Sequence, residues 1–178
     1  MTTEEIKYSL TNNHLKLSLI DKLNHYGKTL IFLILPIIYV FLKVKSFFTH
    51  ERVNSDNKTL IFVGVFTILG IIFLIIQKRQ LKFKSIRTRL PENELIALIK
   101  KVCDEKEWTI YDFGKNYLKI KTFSDLLTGS FGEDITIILD KNLVLINSKC
   151  KLSKRNYLFS NPNTQNINVF FERIKANS

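Results

Sequence analysis

Thr59-Leu-Ile-Phe-Val-Gly-Val-Phe-Thr-Ile-Leu-Gly-Ile-Ile-Phe-Leu-Ile-Ile-Gln77 contains no charged side chain. As a helix this run rises about 28 Å, close to the roughly 30 Å hydrocarbon thickness of a bilayer. A core helix of a soluble protein is the competing reading. The stretch after the run holds only about 100 residues, too few to surround such a helix on every side. The spacing and length therefore predict a membrane span over 59–77.

Upstream, residues 29–42 are also uncharged, and Lys43 and Lys45 interrupt before Ser46-Phe-Phe48. A span of about 29–48 follows if both lysines extend toward the headgroups, as long side chains near a helix end do. Pro36 lies inside, which membrane helices tolerate. A cleaved signal peptide fits poorly, because 28 residues precede the apolar run and no small-residue cleavage site follows it.

Two spans joined by a short loop make a hairpin with both ends on one side. Lys78, Arg79, Lys82, Lys84, Arg87 and Arg89 follow the second span with no acid among them, and Lys16, Lys22 and Lys28 precede the first. The loop side holds Lys43, Lys45, Arg52 and Lys58. Cationic flanks resist translocation, so both termini are expected in the cytoplasm. The cluster Lys78–Arg89 is expected against anionic lipids of the inner leaflet.

Three segments result: a cytoplasmic stretch 1–28, a transmembrane hairpin 29–77, and a cytoplasmic domain 78–178. In the first, Leu15, Leu19, Leu23 and Tyr26 recur at helical spacing, and Gly27 offers a stop before the span. The pattern predicts a short amphipathic helix, lying in the headgroup layer or packed on the soluble domain.

In the domain, Leu81 and Phe83 alternate with Lys82 and Lys84, the period of a strand. Leu90-Pro-Glu-Asn-Glu94 opens a helix whose apolar stripe is Leu95, Leu98, Ile99 and Val102. The period then returns to two, through hairpins turning at Gly114-Lys-Asn116 and Asp140-Lys-Asn142. Lys149–Asn163 reads as polar and irregular. Ile167, Phe170, Phe171 and Ile174 define a closing helix capped by Asn163 or Thr164. The order β-α-β-β-β-β-α predicts a two-layer α+β domain, an antiparallel sheet with two helices on one face.

Trp108, the step Phe131-Gly-Glu-Asp134, and Asn166 with Phe170 carry a loose resemblance, over residues 92–176, to a bacterial and plastid domain family of unknown function. The family is similar in its helix, Trp-led strand, acidic step into a hairpin and final helix. Its serine- and arginine-rich strand end is replaced here by Asn147-Ser-Lys-Cys-Lys151. The resemblance implies no particular activity; the two spans and their flanking charge give the expectation of a two-span protein of the bacterial inner (plasma) membrane.

The chemistry on offer is sparse. His14, His25 and His50 all precede the expected domain, so no histidine-based triad or zinc site is expected in it. His14 and His25 read as surface residues. Cys103 and Cys150 lack metal or redox spacing and read as free thiols. Glu133 and Asp134 adjoin on a strand and should point to opposite faces. Gly129-Ser-Phe-Gly132 lacks the Gly-Lys-Ser/Thr ending of a phosphate loop. No catalytic residue, metal or cofactor is expected.

From Arg79 onward, 18 Lys+Arg face 11 Asp+Glu. Lys149, Lys151, Lys154 and Arg155 beside Tyr157 form a candidate patch for an anionic ligand or a partner. Gly64, Thr67 and Gly70 are candidate helix–helix contacts. The leading expectation is a non-enzymatic inner-membrane accessory or scaffold subunit. Its partners would be membrane lipids and other membrane proteins or further copies, not nucleic acid. The segment Lys151–Asn163 and the loop Ser124–Gly132 would carry partner contacts. The alternative is a membrane sensor or effector whose basic domain binds a nucleotide or lipid headgroup.

Overall fold

The computed structural model describes residues 1–49, 57–123, 132–150 and 162–178. Two compact units emerge: Leu17–Arg79, and Met1–Lys16 together with Gln80–Ser178.

The first unit is a helical hairpin. Helix α2 (Leu19–Thr49) and helix α3 (Asn57–Gln80) contain the two candidate spans, Thr29–Thr49 and Asn57–Gln80. Both are long and apolar enough to cross a membrane. Only 6% of either apolar window is buried, whereas the core helix of a soluble protein would be mostly covered. Gly27 does not stop a helix: α2 runs unbroken through it, since one internal glycine costs only about 1 kcal/mol in a helix of 31 residues. The separate amphipathic helix expected near 15–26 is therefore the first part of α2.

The second unit is an α+β domain. Strand β1 (Lys84–Arg87) is followed by helix α4 (Glu92–Glu105), strands β2 (Thr109–Gly114), β3 (Tyr117–Lys121), β4 (Glu133–Asp140) and β5 (Leu143–Cys150), and helix α5 (Pro162–Ala176). The order is the expected one. All strands pair antiparallel in the sequence β1-β5-β4-β3-β2. Both hairpin turns fall where the glycine and asparagine signals put them. Strand β5 runs further than expected, so Lys149 sits on the strand opposite Asp134 and not in an irregular segment.

Period-two alternation sends Leu118, Ile120, Ile135, Ile137, Val144 and Ile146 to one face, where α4 and α5 cover them with Leu95, Ile99, Phe170 and Ile174. Trp108 packs against Phe170 with tilted rings, centroids 5.6 Å apart. The opposite face also has a cover, which makes the domain three-layered at that point. Phe83, Ile138 and Leu145 form a second core with Met1, Ile6, Leu10 and Leu15. The covering element is helix α1 (Thr3–Asn12), opened by a capping box between Thr2 and Glu5 and closed by Asn13 in the left-handed region, φ 53.

The stretch 1–28 thus divides at Lys16. Its first part joins the sheet, and Leu15, expected on an amphipathic helix, enters the second core. His14 consequently belongs to the unit that holds the sheet, contrary to the expectation that all histidines lie outside it. It forms a β-bridge with Lys82, flanked by Leu15 N–H to Leu81 O at 2.8 Å and Phe83 N–H to Asn13 O at 3.0 Å.

Candidate functional site

Two polar constellations stand out among the described residues, one in each unit. In the hairpin, the His25 imidazole Nε2 donates to the Gln77 carbonyl at 3.0 Å. The Gln77 amide returns a bond to the His25 carbonyl at 2.8 Å, and the Thr29 hydroxyl donates to Gln77 Oε1 at 2.5 Å. Helical spacing explains the convergence, since His25 and Thr29 are one turn apart on the α2 face that meets α3. Gln77 lies four residues from the end of its helix, where carbonyls lose their intrahelical partners. His25 supplies a donor to one of them. His25 is buried, which corrects its reading as a surface residue. Donation from Nε2 requires a proton there, so the neutral ring in this contact is the Nε2–H tautomer.

Above this clamp, Phe32 stacks on Phe73 with centroids 5.2 Å apart. Gly70 admits the close approach: a Cβ there would stand 2.5 Å from Leu33 Cδ2. Of the three candidate helix–helix residues, Gly70 therefore serves α2 of the same chain. Thr67 turns its hydroxyl back to the Val63 carbonyl at 2.8 Å, and Gly64 borders open space.

In the domain, Glu133 is 1% exposed at the start of β4. Its Oε2 accepts from the Ser148 hydroxyl at 2.5 Å and from the Asn166 amide at 2.6 Å. Its backbone N–H donates to the Thr122 hydroxyl at 2.8 Å, and its carbonyl accepts the Thr122 N–H at 3.0 Å. Gly132, with φ 85 and a hypothetical Cβ only 2.6 Å from the Thr122 carbonyl, makes the turn that brings Glu133 in. The carboxylate thus joins the end of β5 to the first turns of α5, while the backbone of the same residue holds the end of β3. Glu133 and Asn166 are two of the residues that carry the resemblance described above, and Trp108 with Phe170 are two more.

Asn147, 1% exposed on the opposite face, donates from Nδ2 to the carbonyls of Gln80 at 2.9 Å and Lys82 at 3.0 Å. It ties the segment that follows α3 to the middle of the sheet. At the sheet edge, Asp112 accepts from the Tyr117 hydroxyl at 2.9 Å and pairs with Lys119 at 3.1 Å and the Met1 amino group at 3.6 Å. Partial burial pushes the Asp112 carboxyl up. The hydrogen bonds from Tyr117 and Lys119, with the two positive charges, outweigh it and hold the group below its ordinary range. The same bond raises the Tyr117 hydroxyl above its ordinary value.

The remaining expected residues fall as follows. Lys78 and Arg79 close α3 with exposed side chains; Lys82, Lys84, Arg87 and Arg89 are exposed in the sheet unit. Of the candidate anionic-ligand patch, Lys149 is described, while Lys151, Lys154, Arg155 and Tyr157 lie outside the described residues, as do His50 and residues 124–131. Cys103 is buried in the core, and burial followed by the neighbouring Asp104 charge pushes its thiol up to about 12. A thiol so held is not a nucleophile at neutral pH. No group of three or more His, Cys, Asp or Glu poised to hold a metal occurs among the described residues.

What the fold and sites define is a class: a pair of long apolar helices joined to an α+β domain with an antiparallel five-stranded sheet. Compared with known proteins, the chain matches no family model and no curated relative.

Proposed function

We propose that this chain is an integral protein of a bacterial inner membrane, anchored by the α2–α3 hairpin with both termini in the cytoplasm. Its domain acts without catalysis, as the partner-binding part of an accessory or scaffold subunit. The observation that carries the reading is the hairpin itself: its apolar side chains point outward, while its polar ones, His25, Thr29 and Gln77, are satisfied between the helices. That inside-out distribution suits a hydrocarbon solvent, where each polar group must find a partner within the protein.

The domain's most buried chemistry supports a structural role. The Glu133 carboxylate is engaged by Ser148 and Asn166, and the Cys103 thiol is sealed in the core. Both segments expected to carry partner contacts, 124–132 and 151–163, are flanked within three residues in sequence by Thr122, Ser148 or Asn166, which Glu133 bonds.

Extraction in mild detergent at native expression level, followed by mass spectrometry of co-eluting proteins, tests the proposal. A stoichiometric set of membrane partners is expected. A chain that elutes alone overturns the accessory reading and turns attention to an anionic ligand for Lys149, Lys151, Lys154 and Arg155.

A further inference from the structure

The cross-helix bonds fix the register of the hairpin. Thr29 stands level with Gln77, and the same number of residues separates Thr29 from Thr49 as separates Gln77 from Asn57, a rise of about 30 Å on each helix. That distance matches one bilayer core. Helix α2, however, begins at Leu19 and so overhangs this level by about 15 Å.

The overhang is two-faced. Asp21, Lys22 and His25 fall on the side of α2 that carries the α3 contacts, and Asn24 lies on the polar flank between that side and the opposite one. Leu19, Ile20 and Leu23, exposed by 79%, 72% and 65%, fall on the opposite side. There they continue the line of Leu30, Ile34 and Phe41, which are likewise exposed. One apolar stripe therefore runs about 44 Å along α2, from Leu19 to Phe48. Even a 40° tilt, the upper end of the usual range, shortens it only to about 34 Å along the bilayer normal. The stripe is longer than the hydrocarbon can hold.

We infer that the first turns of α2, Leu19 to Asn24, form a membrane-contact surface seated in the headgroup layer of the inner leaflet, with anionic phospholipid as its occupant. The inference rests on the membrane reading above and adds a site to it. The stripe is built of Leu, Ile and Phe, the composition of a lipid-facing surface, whereas close helix–helix contacts favour small residues. Its continuity with the outer face of the span gives lipid an unbroken path along it. Lys78 and Arg79 immediately past Gln77, and Lys22 about 10 Å past Thr29 on the polar side, set positive charge along the overhang, complementary to anionic headgroups.

The test places an environment-sensitive thiol probe at Leu23→Cys, Asn24→Cys or Ile34→Cys. The full chain carries Cys150→Ser, so that buried Cys103 is the only other thiol. Each variant is reconstituted in phosphatidylglycerol-containing vesicles with lipids brominated at shallow or deep acyl positions. The Leu23 probe should be quenched most by shallow bromines, the Ile34 probe by deep ones, and the Asn24 probe by aqueous iodide. A Leu23 probe as open to iodide as Asn24, with Ile34 still quenched by lipid, overturns this inference alone. An Ile34 probe open to iodide overturns the membrane reading beneath it. Efficient Leu23–Leu23 disulfide formation with loss of lipid quenching would assign the stripe to a second copy and also overturn the inference.

Discussion

His25 and Gln77 exchange hydrogen bonds across the hairpin, imidazole to carbonyl at 3.0 Å and amide to carbonyl at 2.8 Å. The pair fixes the rotation and the height of one long helix against the other, and Thr29 completes it. A few polar atoms, together with the close approach at Gly70, thus specify the register of the two helices.

Gln77→Leu should loosen the hairpin by roughly 1–2 kcal/mol, the usual worth of such contacts in membrane helices. Thr29→Val should cost less. In a double-mutant cycle the two should couple by at least about 0.5 kcal/mol, read from unfolding in mixed dodecyl sulfate micelles. Purely additive effects would show that the contact is not formed.

Gly70→Ile should destabilise the same hairpin by about 1–3 kcal/mol, because its Cβ would meet Leu33 at 2.5 Å. Gly64→Ile should be near neutral in the monomer, where nothing stands within 4 Å. Leu33→Ala should recover part of the Gly70→Ile loss, and absence of rescue would place the helices in another register.

Glu133→Ala would leave the buried Ser148 hydroxyl and the half-buried Asn166 amide without their acceptor, at a cost of about 2–4 kcal/mol. Thermal unfolding of the full chain in detergent should show a lowered midpoint for the domain. A domain as stable as the wild type would mean that Glu133 is not the joint between β4, β5 and α5.

The Asp112 carboxyl titrates below its ordinary value in the folded chain, so its contribution is present above the unfolded value near 4 and fades as pH falls through the lower folded value. Tyr117, shifted upward, contributes fully below about 10 and loses that contribution as pH rises through its folded value. Asp112→Asn should flatten the acid limb of stability against pH and reduce the upward shift of the Tyr117 hydroxyl, followed by ultraviolet absorbance. An unchanged Tyr117 titration would separate the two groups.

His14 and Lys82 face each other as a non-hydrogen-bonded antiparallel pair, in which Cα atoms lie about 4.5 Å apart and a disulfide can close. His14→Cys with Lys82→Cys should therefore cross-link under mild oxidation without lowering stability. Failure to cross-link would detach the first sixteen residues from the sheet.

The domain's element order was legible because its signals are local: Pro91 with Glu92 and Glu94 opens α4, and two-residue turns separate strands of clear period two. Opposite facing of Glu133 and Asp134 followed from the pleat alone. Helix α1 announced itself only through Thr2 and Glu5, a capping box easily passed over beside the stronger stripe that begins at Leu15. That stripe misled in turn, since Leu15 packs on Phe83, Ile138 and Leu145, far away in sequence. The same limit hid the clamps. Nothing near His25 names Gln77, and nothing near Glu133 names Ser148 or Asn166, because each partnership exists only once the chain has folded.

The central claim is that α2 and α3 form a membrane-crossing hairpin, and thiol accessibility in intact bacterial cells tests it most directly. With Cys150→Ser as background, Thr49→Cys should react with a membrane-impermeant maleimide from outside. Thr3→Cys and Asn177→Cys should react only after the inner membrane is opened. Equal protection of all three until lysis, with release of the protein by alkaline carbonate, would contradict the account.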